Sequence, residues 1–233
     1  MSDPCEHRLG ESIRGLTEVT DILLSSEDTR QALAAALEVV LRLMGQSAGW
    51  VLLTDPAAQD RRFGPGFTLA AHCGLPAEMS PVQSEGWDGP CECQRLYQGA
   101  ELDGAVNIVA CSRLAALARP SDALGEAGDA PQEPPQEHAP CVHASTALRA
   151  GGATFGILNV VADEGTHFST DALALLTHAG RQMSMAVERS RLLAMTQDRW
   201  HAEVASQARL AEQLKMARQI QLSPLPGGGP EAP

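Results

Sequence analysis

"HASTALRAGGATFGILNVVADEGTHFSTDALALLTHAGRQMSMAVERSRL", residues 143–192, decides how the rest of the chain is read. Two β-like runs flank Ala150-Gly151-Gly152-Ala153, a turn signal that predicts a hairpin. Beyond it Ser169 or Thr170 offers an N-cap, and a helical pattern runs from Asp171 to about Leu222. That span has no proline and only Gly180 as an interior breaker. It far exceeds a globular helix, which predicts a coiled-coil extension. Leu176, Met183, Val187, Leu193, Trp200, Val204, Ala211 and Leu214 supply its apolar positions, and Gln197 and Gln207 interrupt the seam. Such a seam suits signalling better than permanent clamping. The plainer alternative is a single long helix lying on its own domain.

Upstream, two helices and two strands are expected in that order. "RLGESIRGLTEVTDILLS" (8–25) repeats Leu9, Ile13, Leu16, Val19, Ile22 and Leu23 near the helical period. In "SSEDTRQALAAALEVVLRLMG" (25–45), Ser26 or Asp28 is the N-cap and Gly45 the stop. "AGWVLLTD" (48–55) and "FTLAAHCGLP" (67–76) read as strands joined by a loop. Further on, "CQRLYQGAEL" (93–102) suggests a short helix and "AVNIVACS" (105–112) a strand that delivers Cys111 at its end. "RLAALA" (113–118) is a second short helix, and residues 119–140, with their prolines, small residues and acidic excess, read as a mobile loop.

The totals exclude several function classes. The chain has 233 residues, a formal net charge of −12 and 3% aromatic residues. The acidic balance argues against nucleic acid and against an anionic membrane. No run reaches the length of a membrane span, and the N-terminus lacks a signal-peptide pattern, so a cytoplasmic location is expected. Six cysteines in such a setting are free, redox-active or metal-bound rather than a disulfide frame. None of the common catalytic motifs occurs, and a Cys141–His143 nucleophile pair has no orienting third group, so the protein is not expected to be an enzyme.

The order helix, helix, strand, strand, irregular middle, hairpin, long helix resembles a GAF domain, and "LRAGGATFGILNV" followed by "FSTDALALLTHAGRQMSMAVERSRL" carries the likeness. It implies an α+β fold: a central antiparallel sheet flanked by helices, with a long C-terminal coiled-coil helix. The expected divisions are an N-terminal helix (1–25), a GAF sensor domain (26–187), a signalling helix (188–222) and a disordered tail (223–233). "QLKMARQIQLSPLP" (213–226) further resembles the lead-in to serine phosphatase domains of the sporulation type, with Pro224 where that pattern has leucine. The chain ends before any phosphatase metal ligands, which implies a sensor without a catalytic half.

The resemblance also places Cys91, Cys93, Cys111 and Cys141 on segments that line the GAF pocket. It implies that these four hold an iron–sulfur cluster, as similar cysteine-bearing GAF domains are thought to do. Four thiolates suit [4Fe–4S], favoured here, or [2Fe–2S], and equally suit tetrahedral zinc. Zinc ranks lower because no C-x₂₋₄-C knuckle occurs. A metal-free thiol switch or plain burial remains open, although a disulfide across one residue is strained. His143 shares a strand side with Cys141 and could ligate a metal in place of one thiol, but is read first as a strand histidine. His72 and His178 are read as structural and Trp50 as core; Cys73 is a fifth thiol near the pocket or, as favoured, core. Trp87 packs, or covers the pocket mouth. The function expected is a sensor that reports redox state, O₂ or NO through a parallel homodimer formed by the N- and C-terminal helices. Its downstream partner would be a regulatory protein or phosphatase. The alternative is a GAF dimerisation or binding module with zinc, a thiol switch or a small organic ligand.

Overall fold

The computed structural model describes residues 4–57, 62–75, 79, 87, 91–109, 111, 113–114, 142–163 and 166–222, with side chains over 10–219 of these. The loop expected at 119–140, the tail at 223–233, Cys141 and all but the start of the short helix at 113–118 lie outside the described residues. The chain divides into two compact units, Met1–Glu188 and Arg189–Pro233.

Helix α1 (Pro4–Ser25) precedes α2 (Thr29–Met44). Asp28 caps α2 by accepting from the Arg30 and Gln31 amides at 2.8 and 3.2 Å. Gly45 closes it in the left-handed region at φ 65°, its N–H donating to the Arg42 carbonyl. Strands β1 (Gly49–Thr54) and β2 (Phe67–Cys73) follow, then a short helix α3 (Glu92–Gln98) and β3 (Val106–Ile108). The hairpin is β4 (His143–Ala150) and β5 (Ala153–Val161), and α4 runs from Thr170 to Leu222. Gly151 and Gly152 sit at φ 56° and 82°, as a two-residue turn matched to strand twist requires.

The strands form one sheet in the order β2-β1-β5-β4-β3, with every neighbouring pair antiparallel. Strand alternation sends successive side chains to opposite faces. On one face Val51, Ala144, Leu148, Leu158 and Val160 join Leu33, Leu37 and Val40 of α2 and Leu176, Ala179 and Met183 of α4. On the other, Trp50, Leu52, Ala147 and Ile157 meet Phe63, Phe67, Met79, Trp87 and the cysteines. Strand β3 is shorter than expected and ends at Ile108, so Cys111 stands beyond the strand.

Past Glu188, every side chain described on α4 is exposed or half-buried. These include Leu193, Trp200, Val204 and Leu214, which are 44–67% exposed. Among the described residues no helix is long and apolar enough to cross a membrane.

Candidate metal centre

Cys91 occupies the N-cap position of α3 but makes no capping bond, which leaves its sulfur free to turn inward. Cys93 follows in the first turn, and Gly99 caps the end of α3 after Gln98. The two sulfurs lie 3.0 Å apart, and Cys91 lies 3.8 Å from the Cys111 sulfur. All three side chains are at most 2% exposed. Three of the four expected ligands therefore meet, and the fourth, Cys141, lies outside the described residues.

His143, the first residue of β4, completes the described group. Each of Cys91, Cys111 and His143 offers a ligand atom within 4.8 Å of the others. Register places it opposite Ile108 on β3 and Val161 on β5. The imidazole is fully buried, and among the described residues neither nitrogen meets hydrogen-bond geometry. The sequence favoured a plain strand histidine; its place beside two sulfurs makes it a candidate ligand. The spacing from Cys141 was the available signal.

Crowding splits the thiols electrically. Cys91 is held far below the ordinary thiol range, first because the Cys111 and then the Cys93 S–H donates to it. The nearby His143 adds a smaller push in the same direction, short of a full hydrogen bond. Cys93 and Cys111 are pushed up, each mainly by donating to Cys91 and then by burial. The directions of these shifts favour ionisation of Cys91 over that of Cys93 and Cys111. A bound cation would let the others ionise, as metal ligation requires. Backbone N–H groups of Leu114 and Arg113 favour the ionised form of Cys111, an arrangement that suits a ligating thiolate.

Aromatic rings wall the group. Trp87, 1% exposed, donates its indole N–H to the Met79 carbonyl at 2.8 Å and meets Trp50 edge-on at 5.8 Å between centroids. Trp87 is therefore packed in the pocket-side core, as the plainer expectation held. Trp50 lies 5.6 Å from the His143 ring. Arg113 was not foreseen: it is 1% exposed and sits 5.5 Å over Trp87. Cys73 packs at the edge of the helix-side cluster, on the face away from the other three thiols. His72 and His178, expected to be structural, are exposed.

Solved structures now place the fold. The GAF domain of an Acinetobacter phosphoenolpyruvate-protein phosphotransferase superposes with a TM-score of 0.52 at 17% identity, covering 77% of this chain and 94% of that one. The corresponding domain from Coxiella burnetii gives 0.52 at 15% identity, covering 79% and 97%. The fold is GAF-like. The antiparallel sheet, flanking helices and long C-terminal helix agree with the expected α+β class. No protein-family model matches the chain. Among curated proteins, the sensor histidine kinase YhcY of Bacillus subtilis (strain 168) is 27% identical over 212 residues, 88% of this chain. The chain spans about half (48%) of that protein's length.

Proposed function

We propose that this protein is a sensor domain that holds an iron–sulfur cluster, [4Fe–4S] in preference to [2Fe–2S], and relays redox state or the presence of O₂ or NO through a dimeric C-terminal helix. One observation carries the reading: the buried sulfurs of Cys93 and Cys111 both meet that of Cys91, and a buried imidazole joins Cys91 and Cys111 within 4.8 Å. Soft thiolates in a water-poor shell are the ligands such clusters take. Cys91, Cys93 and Cys111 hold the cluster in this reading, with Cys141 as the fourth ligand. When bound, the cluster supplies a one-electron couple and a centre open to attack by oxidising gases.

The chain's own residues offer a route outward. Asn107 on β3 donates to the Phe168 carbonyl at 3.1 Å and accepts from the Phe168 amide at 2.9 Å. The Ala105 amide donates to Thr177 Oγ1 of α4 at 2.9 Å. The strand before Cys111 is therefore tied to the segment that opens the long helix, and a shift at the cysteine would reach that helix. Exposed Leu193, Trp200, Val204 and Leu214 support a second copy as the helix partner, since an apolar stripe on a lone helix is left in water. A regulatory protein or phosphatase would read the output in the cytoplasm, and the domain itself would carry no catalysis. The likeness to a sensor kinase supports the signalling role.

The test is an absorption spectrum of anaerobically purified protein with iron and acid-labile sulfide assays on the same sample. Broad visible absorbance with matching iron and sulfide, lost in Cys93→Ser, is expected. A colourless protein without iron sinks the cluster. A second reading, zinc held by three cysteines and His143, is favoured by the mixed sulfur–imidazole set. A zinc assay and His143→Ala separate it from the first.

A further inference from the structure

Arg113 is the one buried cation on the pocket side among the described residues. Its Nη2 donates to Gln94 Oε1 at 3.0 Å, and its Nε and Nη1 have no partner among the described residues. Gln94 is neutral and held in turn by the Phe63 carbonyl, so it cannot balance the charge. The flat guanidinium rests over Trp87, and no ion pair with a carboxylate is present among the described residues. A buried charge without an opposite charge is strongly disfavoured. Among the described residues no acidic side chain meets it.

The surroundings point to what an opposite charge would be. Arg113 follows Cys111 by two residues, and its positive charge is felt at Cys93. Trp50, edge-on to the same Trp87, has an indole N–H that is also buried without an acceptor. The free groups on Arg113 and Trp50 are all donors, and Trp50 shares its buried cluster with the sulfurs of Cys91, Cys93 and Cys111. Three thiolates around a divalent ion sum to one negative charge, and four thiolates around a [4Fe–4S]²⁺ core sum to two. Every metal occupant considered above is anionic.

We infer that Arg113 is the counter-charge of an anionic metal–thiolate centre at Cys91, Cys93 and Cys111, its free N–H groups and the Trp50 indole N–H serving as donors to the centre's sulfur. The inference rests on the reading that the cysteines hold a metal or cluster. It makes Arg113 a positioning residue: it fixes the charge the pocket accepts and raises the tendency of the centre to take up an electron. Hydrogen bonds and charge near cluster sulfurs set such potentials.

The test uses the full chain with Arg113→Gln, Arg113→Lys and Trp50→Phe, and Zn²⁺ alone as the first probe, by competition with a chromophoric chelator. Arg113→Gln is expected to weaken Zn²⁺ binding tenfold or more, Arg113→Lys to keep most of the affinity, and Trp50→Phe to fall between. Metal-free Arg113→Gln should melt no lower than the parent, because it removes an unpaired buried charge. On iron-loaded protein, Arg113→Gln should lower the one-electron midpoint potential, by about 59 mV for each tenfold change in the reduction equilibrium. Parent-like Zn²⁺ affinity and potential in Arg113→Gln, with a lowered melting point, would make Arg113 a structural partner of Gln94 and overturn the inference. If Arg113→Gln does not fold, parent-like affinity and potential in Trp50→Phe overturn it instead. The iron and sulfide content of the parent decides the cluster separately. A parent that takes Zn²⁺ but no iron sinks the cluster and leaves the Zn²⁺ comparison to decide Arg113. A parent that takes neither overturns both.

Discussion

On the helix-covered face of the sheet, Val51, Leu148, Leu158 and Val160 meet aliphatic side chains of α2 and α4. On the opposite face Trp50, His143, Ser145 and Asn159 are just as buried but carry polar atoms. Eight buried side-chain nitrogen or oxygen atoms lack a partner among the described residues, and six of them belong to Trp50, Arg113, His143 and Asn159. Native interiors satisfy nearly all such atoms, so a cluster of exceptions calls for an explanation. The first face is built for stability. The second leaves polar atoms unsatisfied among the described residues, as a site proposed to be completed by a bound metal would.

Truncation on the first face should therefore have the largest effect on folding. Leu158→Ala is expected to cost about 2–5 kcal/mol by denaturant unfolding, with metal content per folded molecule unchanged. Gly156→Ala should cost about 1–3 kcal/mol, because a Cβ there would meet the Leu52 carbonyl oxygen of the neighbouring strand, which cannot step aside. A loss well under 1 kcal/mol at both sites would erase the contrast between the faces.

The second face should respond to metal instead. Zn²⁺ at a hundredfold excess over its Kd should stabilise the reduced protein by about 2.7 kcal/mol, read as a rise in the unfolding midpoint. Bound thiols give up protons, so the effect should grow as pH rises. His143→Leu replaces two unpartnered nitrogens by carbon and should leave metal-free stability within about 1 kcal/mol of the parent. It should also remove most of the Zn²⁺-linked gain if His143 is a ligand. A full gain in His143→Leu would leave the ligation to the cysteines alone.

The two faces also differ in how far they could be read from residues. Asp28 and Gly45 name the ends of α2 because capping and left-handed backbone depend on local chemistry. The Gly151-Gly152 turn and the period-two runs around it fix the hairpin in the same way. The pocket side depends on residues far apart in sequence. Cys111 was expected at a strand end, yet β3 stops at Ile108, because pairing with β4 covers only Val106 to Ile108. Nothing local in "CSRL" marks Arg113 for burial, since it packs on Trp87, 26 positions earlier in the numbering. The cysteine spacing pointed to a common site through the resemblance, while His143, signalled only by its spacing from Cys141, meets Cys91 and Cys111 in the folded chain.

The smallest expected effect is the sharpest control on this contrast. Cys73 ends β2 opposite Gly49 and is half-buried against the helix-side cluster. It is a free thiol like Cys91, Cys93 and Cys111, but it packs on the other face. If thiol chemistry alone attracted metal, Cys73 would count as much as the rest; if the pocket does so, it counts for nothing. Cys73→Ala should change stability by about 1 kcal/mol or less, because a partly exposed sulfur adds little apolar burial. Its iron, sulfide and Zn²⁺ content should match the parent, while Cys93→Ala in the same preparation loses them. Equal losses in both variants would mean that metal follows cysteine number rather than the geometry of one face, and the division of labour between the faces would fall with it.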